Sequence, residues 1–124
     1  MNRNIVIVGI GGFLGTVARY LVAVSMSKSL HPFPLATFVI NVVGCLVIGV
    51  IYGVADRSAV MTPEWRLFLA TGFCGGFTTF SSFAYENVNL LQLGQYSIFA
   101  LYTVGSVAAG LLAAGAGVLL SRQF

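Results

Sequence analysis

Two charged side chains stand well inside apolar stretches of this chain, and both are candidates for chemistry. Arg19 is the basic one and Glu86 the acidic one. A charge inside a bilayer is costly and needs a partner or water, so such residues mark solute pathways by default. They form no catalytic grouping, because the single histidine, His31, stands beside Pro32 in a connection. The charges therefore indicate passage of a solute rather than an enzyme.

The stretch GFCGGFTTFSSF, residues 72–83, carries helix breakers inside an apolar run. Gly72, Gly75 and Gly76 permit a break, and Thr78 and Thr79 can satisfy the backbone groups that a break frees. Irregular backbone at membrane depth is tolerated only when it is buried in protein or lines a watery cavity. Carbonyls unwound in this way commonly bind Na⁺, although a glycine kink with back-bonded threonines fits the same spacing.

Aromatic and hydroxyl side chains follow the predicted break. Phe77, Phe80 and Phe83 are three residues apart and are predicted to form one helical stripe, with the hydroxyls of Ser81 and Ser82 beside it. Such a stripe often faces lipid or core, but a ring edge is the positive end of the aromatic quadrupole. Because this region holds more hydrogen-bond donors than carboxylates, it favours an anion over a cation as the permeant species.

Two further polar pairs have i,i+4 spacing inside apolar runs. They are Thr37 with Asn41, and Tyr102 with Ser106. Hydrogen bonding between neighbouring helices explains either pair as well as a lining role does. Arg19 would cost about 2.5–3.5 kcal/mol at a helix centre on insertion scales, so it is expected to reach a partner, water or the interface.

The elements that must position these residues are apolar spans. The chain has 124 residues, of which 58% are apolar and 7% charged, whereas soluble domains average about 25% charged. About 20 apolar residues cross a bilayer as a helix, and the qualifying stretches are residues 5–26, 35–55, 67–89 and 96–120. The sequence predicts a single all-α membrane domain over residues 1–124, with a broken third helix. The scattered charges offer no face for a nucleic acid, and no phosphate-loop motif is present.

Capping residues and charges set the ends of these spans. Thr62 is predicted to cap a helix starting at Pro63, and residues 93–95 form the last turn.

The many glycines predict close helix packing, including packing against another subunit. Both termini lie on one side, opposite Lys28, and the basic residues on that side favour a cytoplasmic location. Those residues are Arg3, Arg57, Arg66 and Arg122.

Three segments resemble the signatures of a known family. GGFLGTVARY (11–20), PLATFVINVVG (34–44) and GFCGGFTTFSSF (72–83) closely resemble those of the Fluc/CrcB fluoride channel family, in that family's order and spacing. The resemblance covers essentially the whole chain. It implies an antiparallel, dual-topology homodimer in the bacterial inner membrane, with two pores that export fluoride passively and a structural sodium ion at the centre.

The resemblance also implies roles for individual residues. Carbonyls of Gly75 and of Thr78 or Thr79, from both subunits, would bind the sodium ion. Arg19 matches a structural or vestibule-forming arginine. The implied fluoride pathway consists of Asn41, Phe80, Phe83, Ser81, Ser82, Tyr102, Ser106 and Glu86.

Two other classes remain open on the sequence. A small four-helix, proton-coupled multidrug exporter also pairs in antiparallel fashion, but it needs a carboxylate inside the first span, where this chain has Arg19 and no acid. A membrane subunit with a purely structural role would need neither the break nor the phenylalanines. The fluoride channel is the predicted function.

Overall fold

The computed structural model describes residues 2–27, 32–57 and 59–124. Four helical stretches in it are long and apolar enough to cross a membrane, which confirms the predicted spans with ends shifted by a few residues. The third of these contains the break. The elements are α1 (Asn2–Ser25), α2 (Leu35–Arg57), α3 (Pro63–Arg66), a π-helical stretch (Leu67–Cys74), α4 (Gly75–Phe77), α5 (Phe80–Gln92) and α6 (Tyr96–Ser121).

The predicted helix ends are confirmed. The Trp65 N–H donates to Thr62 Oγ at 3.2 Å, and Pro63 is the first residue of α3. At the turn between α5 and α6, Gly94 has a φ of 73°, a left-handed conformation that favours glycine. The Gln95 N–H then donates to the Leu90 carbonyl at 2.9 Å, which satisfies one of the last carbonyls of α5.

Two pairs of helices pack closely through glycine. Residues 63–77 lie along α1, and α6 lies along α2. A Cβ at Gly15 of α1 would collide with the Phe73 carbonyl, and one at Gly49 of α2 would collide with the Ala114 carbonyl. Backbone-to-backbone approach of this kind is how helices associate where lipid provides no hydrophobic driving force. The predicted close packing is therefore confirmed within the chain.

The ends of α1, α2, α3 and α6 that carry the arginines lie together. Arg3 forms an exposed ion pair with Glu64 at 3.3 Å. The Arg57 guanidinium donates to the carbonyls of Ser121 and Phe124 at the end of α6. Both termini are thus at one end, as predicted, while their side of the membrane stays a prediction. Lys28, the predicted marker of the opposite side, lies outside the described residues.

Candidate functional site

The third span is interrupted at two threonines rather than at its glycines. Thr78 (φ −81°, ψ 159°) and Thr79 (φ −149°, ψ 118°) are extended, whereas Gly72, Gly75 and Gly76 lie within helical turns. The break therefore lies within the predicted stretch, at the threonines, while the glycines that were expected to permit it remain helical. Gly72 and Gly76 serve packing instead, because a Cβ at either would press on the backbone of α1.

The two threonines satisfy the backbone around the interruption, as predicted. The Thr78 N–H and hydroxyl both donate to the Cys74 carbonyl, at 3.0 and 2.9 Å. Thr79 is the N-cap of α5, where its Oγ accepts from the Ser82 N–H at 3.2 Å. On each side of the break a threonine hydroxyl thus satisfies a backbone group that the interruption would leave without a partner.

Asn41 of α2 is bonded to the interrupted backbone itself. Its Oδ1 accepts from the Thr79 N–H at 2.9 Å, and its Nδ2 donates to the Thr79 carbonyl at 3.1 Å. The same carboxamide therefore serves both backbone groups of one residue. The family resemblance implied that Asn41 lines the fluoride pathway. In the structure its carboxamide is bonded to the backbone of Thr79 at the break.

Arg19 has its partner at the same place. Its Nε donates to the Gly76 carbonyl at 3.1 Å, one of the last carbonyls before the interruption. A guanidinium at a helix C-terminus meets the negative end of the helix dipole. The charge of Arg19 is therefore paired with a backbone carbonyl, that of Gly76, rather than with Glu86.

The predicted sodium ligands lie together at the break, and their carbonyls differ in availability. Gly75 loses its usual helical donor, because the Thr79 N–H is bonded to Asn41 instead. The Thr79 carbonyl already accepts from Asn41. For the Thr78 carbonyl, the described part of the chain contains no side-chain donor. Of the three predicted ligands, Gly75 and Thr78 are thus the ones whose carbonyl oxygens accept from no side chain among the described residues.

Glu86 holds the second polar cluster. Its two carboxylate oxygens accept from the Thr37 hydroxyl and the Tyr102 hydroxyl, each at 2.7 Å. Tyr102 is fully buried, so this phenol depends on Glu86 for its hydrogen bond. Thr37 is a site residue that the sequence assignment omitted, although its i,i+4 spacing to Asn41 was a usable signal.

The predicted serines are distributed over separate surroundings. Ser81 is exposed, with its Oγ 3.4 Å from that of Thr79, and Ser82 lies half-buried one residue later. Ser106 is on α6, where its buried hydroxyl finds no partner among the described residues. Thr103, which was not assigned to the pathway, has a hydroxyl in the same condition. An unpaired buried hydroxyl is a donor available to a ligand or water.

Phenylalanines connect the break to the Glu86 cluster. Phe80 starts α5 and is 77% exposed, its ring centroid 5.7 Å from that of Phe83. Phe83 in turn lies 5.0 Å from Tyr102. Phe77 is elsewhere, buried and stacked on Phe73 at 5.8 Å. The predicted stripe of three was wrong, because two extended residues separate Phe77 from α5 and change its direction.

Two clefts give access to these groups. One, of about 440 Å³, opens between α2 and the interrupted span, and its walls include Asn41, Gly75, Thr78 and Phe80. The other, of about 230 Å³, lies beside the start of α2 and reaches Thr37 and Glu86. The clefts therefore give access to hydroxyl and aromatic side chains and to the backbone at the break.

Comparison with known proteins covers nearly the whole chain. The model of the family described as CrcB-like protein, Camphor Resistance (CrcB), matches residues 6–118. A fluoride-specific ion channel FluC of Chlorobium luteolum is 46% identical over 121 residues, which is 98% of this chain and 94% of the relative. The protein of the same name from Chlorobaculum tepidum is 47% identical, covering 97% and 95%. That from Bacteroides fragilis is 44% identical, covering 98% of each.

Proposed function

This chain belongs to the CrcB-like family, whose curated relatives are fluoride-specific ion channels rather than enzymes, and we propose that it conducts fluoride passively and selectively. Four membrane-spanning helices and the family place it as a multi-pass protein of the bacterial inner membrane. One structural observation carries the proposal: the exposed Phe80 ring stands at the interruption of the third span, next to hydroxyl donors.

The proposed route runs from the break towards Glu86. Fluoride would pass the edges of Phe80 and Phe83 with the hydroxyls of Ser81 and Ser82 beside them. It would then meet Tyr102 and the unpaired hydroxyl of Ser106. Each donor replaces part of the hydration shell that a small anion gives up on entering a narrow filter.

Glu86 would regulate access to two hydroxyl donors, those of Tyr102 and Thr37. Its carboxylate already accepts from Tyr102 and Thr37, so an anion at this point competes with it for their hydrogen bonds. Asn41 keeps a second N–H on Nδ2 beyond the one bonded to Thr79. That N–H would face the anion where the cleft meets the break.

We further propose that two copies form an antiparallel homodimer with two pores. One chain leaves the cleft at the break open, Phe80 exposed and Gly75 without a neighbouring atom at its Cβ position. Such an open cleft beside interrupted backbone within a bilayer calls for a covering subunit. The membrane potential, worth about 2.3 kcal/mol per charge at 100 mV, would drive the anion outward.

The residues at the break fit a structural sodium ion. Hard cations take oxygen ligands, and the carbonyls of Gly75 and Thr78 are the ones left open, while that of Thr79 is engaged. Two copies of this pair would supply four carbonyls at the centre of the dimer. A bound cation would neutralise carbonyl dipoles that are costly to bury unpaired.

Fluoride efflux from liposomes tests the proposal. Purified protein is reconstituted at low density, potassium is shunted with valinomycin, and fluoride release is followed with an ion-selective electrode. We expect rapid release of fluoride with chloride retained. Release of both ions, or of neither from folded dimers, contradicts a selective fluoride channel, and the latter result would support a structural subunit. Release only in the presence of a proton gradient would support a coupled exporter.

Arg19→Ala should weaken the fold without changing which anion passes. The substitution leaves the Gly76 carbonyl without its charged donor, at a cost of about 1.5–3 kcal/mol. We expect a lower midpoint of thermal unfolding and a reduced fraction of dimers, with the fluoride-to-chloride ratio of the surviving channels unchanged. A changed ratio would place Arg19 in the selective part of the pathway instead.

A further inference from the structure

The bonding of Asn41 decides which carbonyls of the break are open. We propose that Asn41 is a positioning residue for the cation site: by taking the Thr79 N–H and occupying the Thr79 carbonyl, it leaves the Gly75 carbonyl open beside that of Thr78, whose own helical donor, the Ser82 N–H, is bonded to the Thr79 hydroxyl. This inference rests on the sodium site of the proposed function. It assigns to α2 a role in building a site whose ligands all belong to the third span.

The first half of the role concerns Gly75. In a continuous α-helix the Thr79 N–H would donate to the Gly75 carbonyl, four residues earlier. Here that N–H donates to Asn41 Oδ1 at 2.9 Å. The side-chain oxygen thus takes the place of a backbone carbonyl as acceptor, and the Gly75 oxygen is released. Gly75 is exposed, with open space at its Cβ position, so the released oxygen is accessible.

The second half concerns the neighbouring carbonyls. Thr79 accepts from Asn41 Nδ2 at 3.1 Å and Gly76 from Arg19 Nε at 3.1 Å, while Cys74 accepts from the Thr78 hydroxyl. Three carbonyls around the break are therefore occupied by side-chain donors. Among the described residues no side chain donates to the carbonyl of Gly75 or Thr78. The Phe77 carbonyl also has no side-chain donor among these residues, but Phe77 is buried, whereas Gly75 and Thr78 line the cleft at the break.

A carboxamide performs both tasks at once. It carries an acceptor oxygen and a donor nitrogen on one rigid planar group, whereas a carboxylate can only accept. Asn41→Asp therefore keeps the acceptor for the Thr79 N–H and loses the donor. Asn41→Ala loses both, and lets the Thr79 N–H return to the Gly75 carbonyl.

Sodium-dependent stability of the purified dimer tests the role. Thermal unfolding is measured in detergent while sodium replaces choline at constant ionic strength, and the sodium concentration at half-maximal stabilisation is determined. We expect this midpoint to rise about tenfold or more in Asn41→Ala, the effect of losing roughly 1.4 kcal/mol. Asn41→Asp should keep a midpoint close to that of the wild type, because Gly75 stays open.

Asn87→Ala is the matched control. Like Asn41, Asn87 carries a side-chain amide. It lies buried on α5 in the third span, away from the break, and its Oδ1 has no partner among the described residues. Its removal should leave the sodium midpoint unchanged.

The outcomes separate the inference from the proposed function. An unchanged midpoint in Asn41→Ala overturns the positioning role, as does a midpoint in Asn41→Asp that rises like that of alanine. If Asn41→Ala does not fold, Asn41→Leu, which also removes both bonds to Thr79, takes its place with the same expected rise. A wild-type dimer without any sodium response overturns the role too, while fluoride efflux from the same protein would still uphold the channel.

Discussion

Replacing Phe80 by isoleucine is expected to abolish fluoride conduction while the dimer still assembles. The ring is 77% exposed on one chain and lies at the mouth of the interruption; its described ring contact within the chain is with Phe83, so little of the fold depends on it. Isoleucine keeps an apolar side chain but has no positive ring edge to offer an anion. A hydrogen bond to a charged group is worth about 1.5–3 kcal/mol, and we expect the edge contact to the dehydrated anion to be of that order. Its loss should slow efflux at least about ten- to hundredfold, measured by fluoride release from liposomes.

Phe13→Ile is the control for this experiment. Phe13 is 67% exposed on α1 and has no place in the proposed pathway, so its replacement should leave efflux unchanged. Dimer formation of both variants is checked by size-exclusion chromatography. If Phe80→Ile conducts fluoride at the normal rate, ring edges do not carry the anion, and the hydroxyl donors alone would have to explain selectivity.

The second large effect is expected from Gly15→Ala. Its added methyl group would collide with the Phe73 carbonyl and crowd the Phe77 amide. Both obstacles are backbone atoms, which cannot rotate away as a side chain can. Overpacking costs about 1–3 kcal/mol and sometimes more, and here it would push α1 off residues 67–77, which lead into the break. We expect a clear fall in the thermal unfolding midpoint and in the yield of folded dimers.

Gly9→Ala gives the comparison on the same helix. A Cβ at Gly9 meets nothing within 4 Å, and alanine is a better helix former than glycine by about 0.5–1 kcal/mol. This variant should be as stable as the wild type or slightly more so. Equal stability of the two alanine variants would mean that α1 does not lie against the third span as closely as described.

Local features of the chain were predictable, because they depend on neighbouring residues. The four spans follow from runs of apolar residues, and the Thr62 cap with Pro63 follows from short-range chemistry. The last turn falls at residues 93–95 as predicted, and the structure adds that Gly94 is left-handed there. The motif at residues 72–83 also placed the break within a few residues, and its resemblance to one family was specific.

Which residues of the motif form the break was not predictable. Glycine is permissive, so a glycine-rich stretch indicates where a helix can open, but it does not require opening there. Gly72 and Gly76 remained helical because α1 packs against them. Phe77 was assigned to the same stripe as Phe80 and Phe83 because the prediction assumed one continuous helix. The helix that contains Phe77 ends there, and a new one starts at Phe80. The π-helical stretch at Leu67–Cys74 gave no signal in the apolar sequence.

The sequence by itself determined that this is a four-span membrane protein of one family, with polar groups concentrated around an interrupted third helix. Only the tertiary structure decided how those groups are used. Asn41 meets Thr79 from 38 residues away, and Arg19 meets Gly76 from 57 residues away. Such contacts arise when whole helices pack, and no local pattern encodes their partners. The packing therefore determines which carbonyls are occupied by protein and which are left open for an ion.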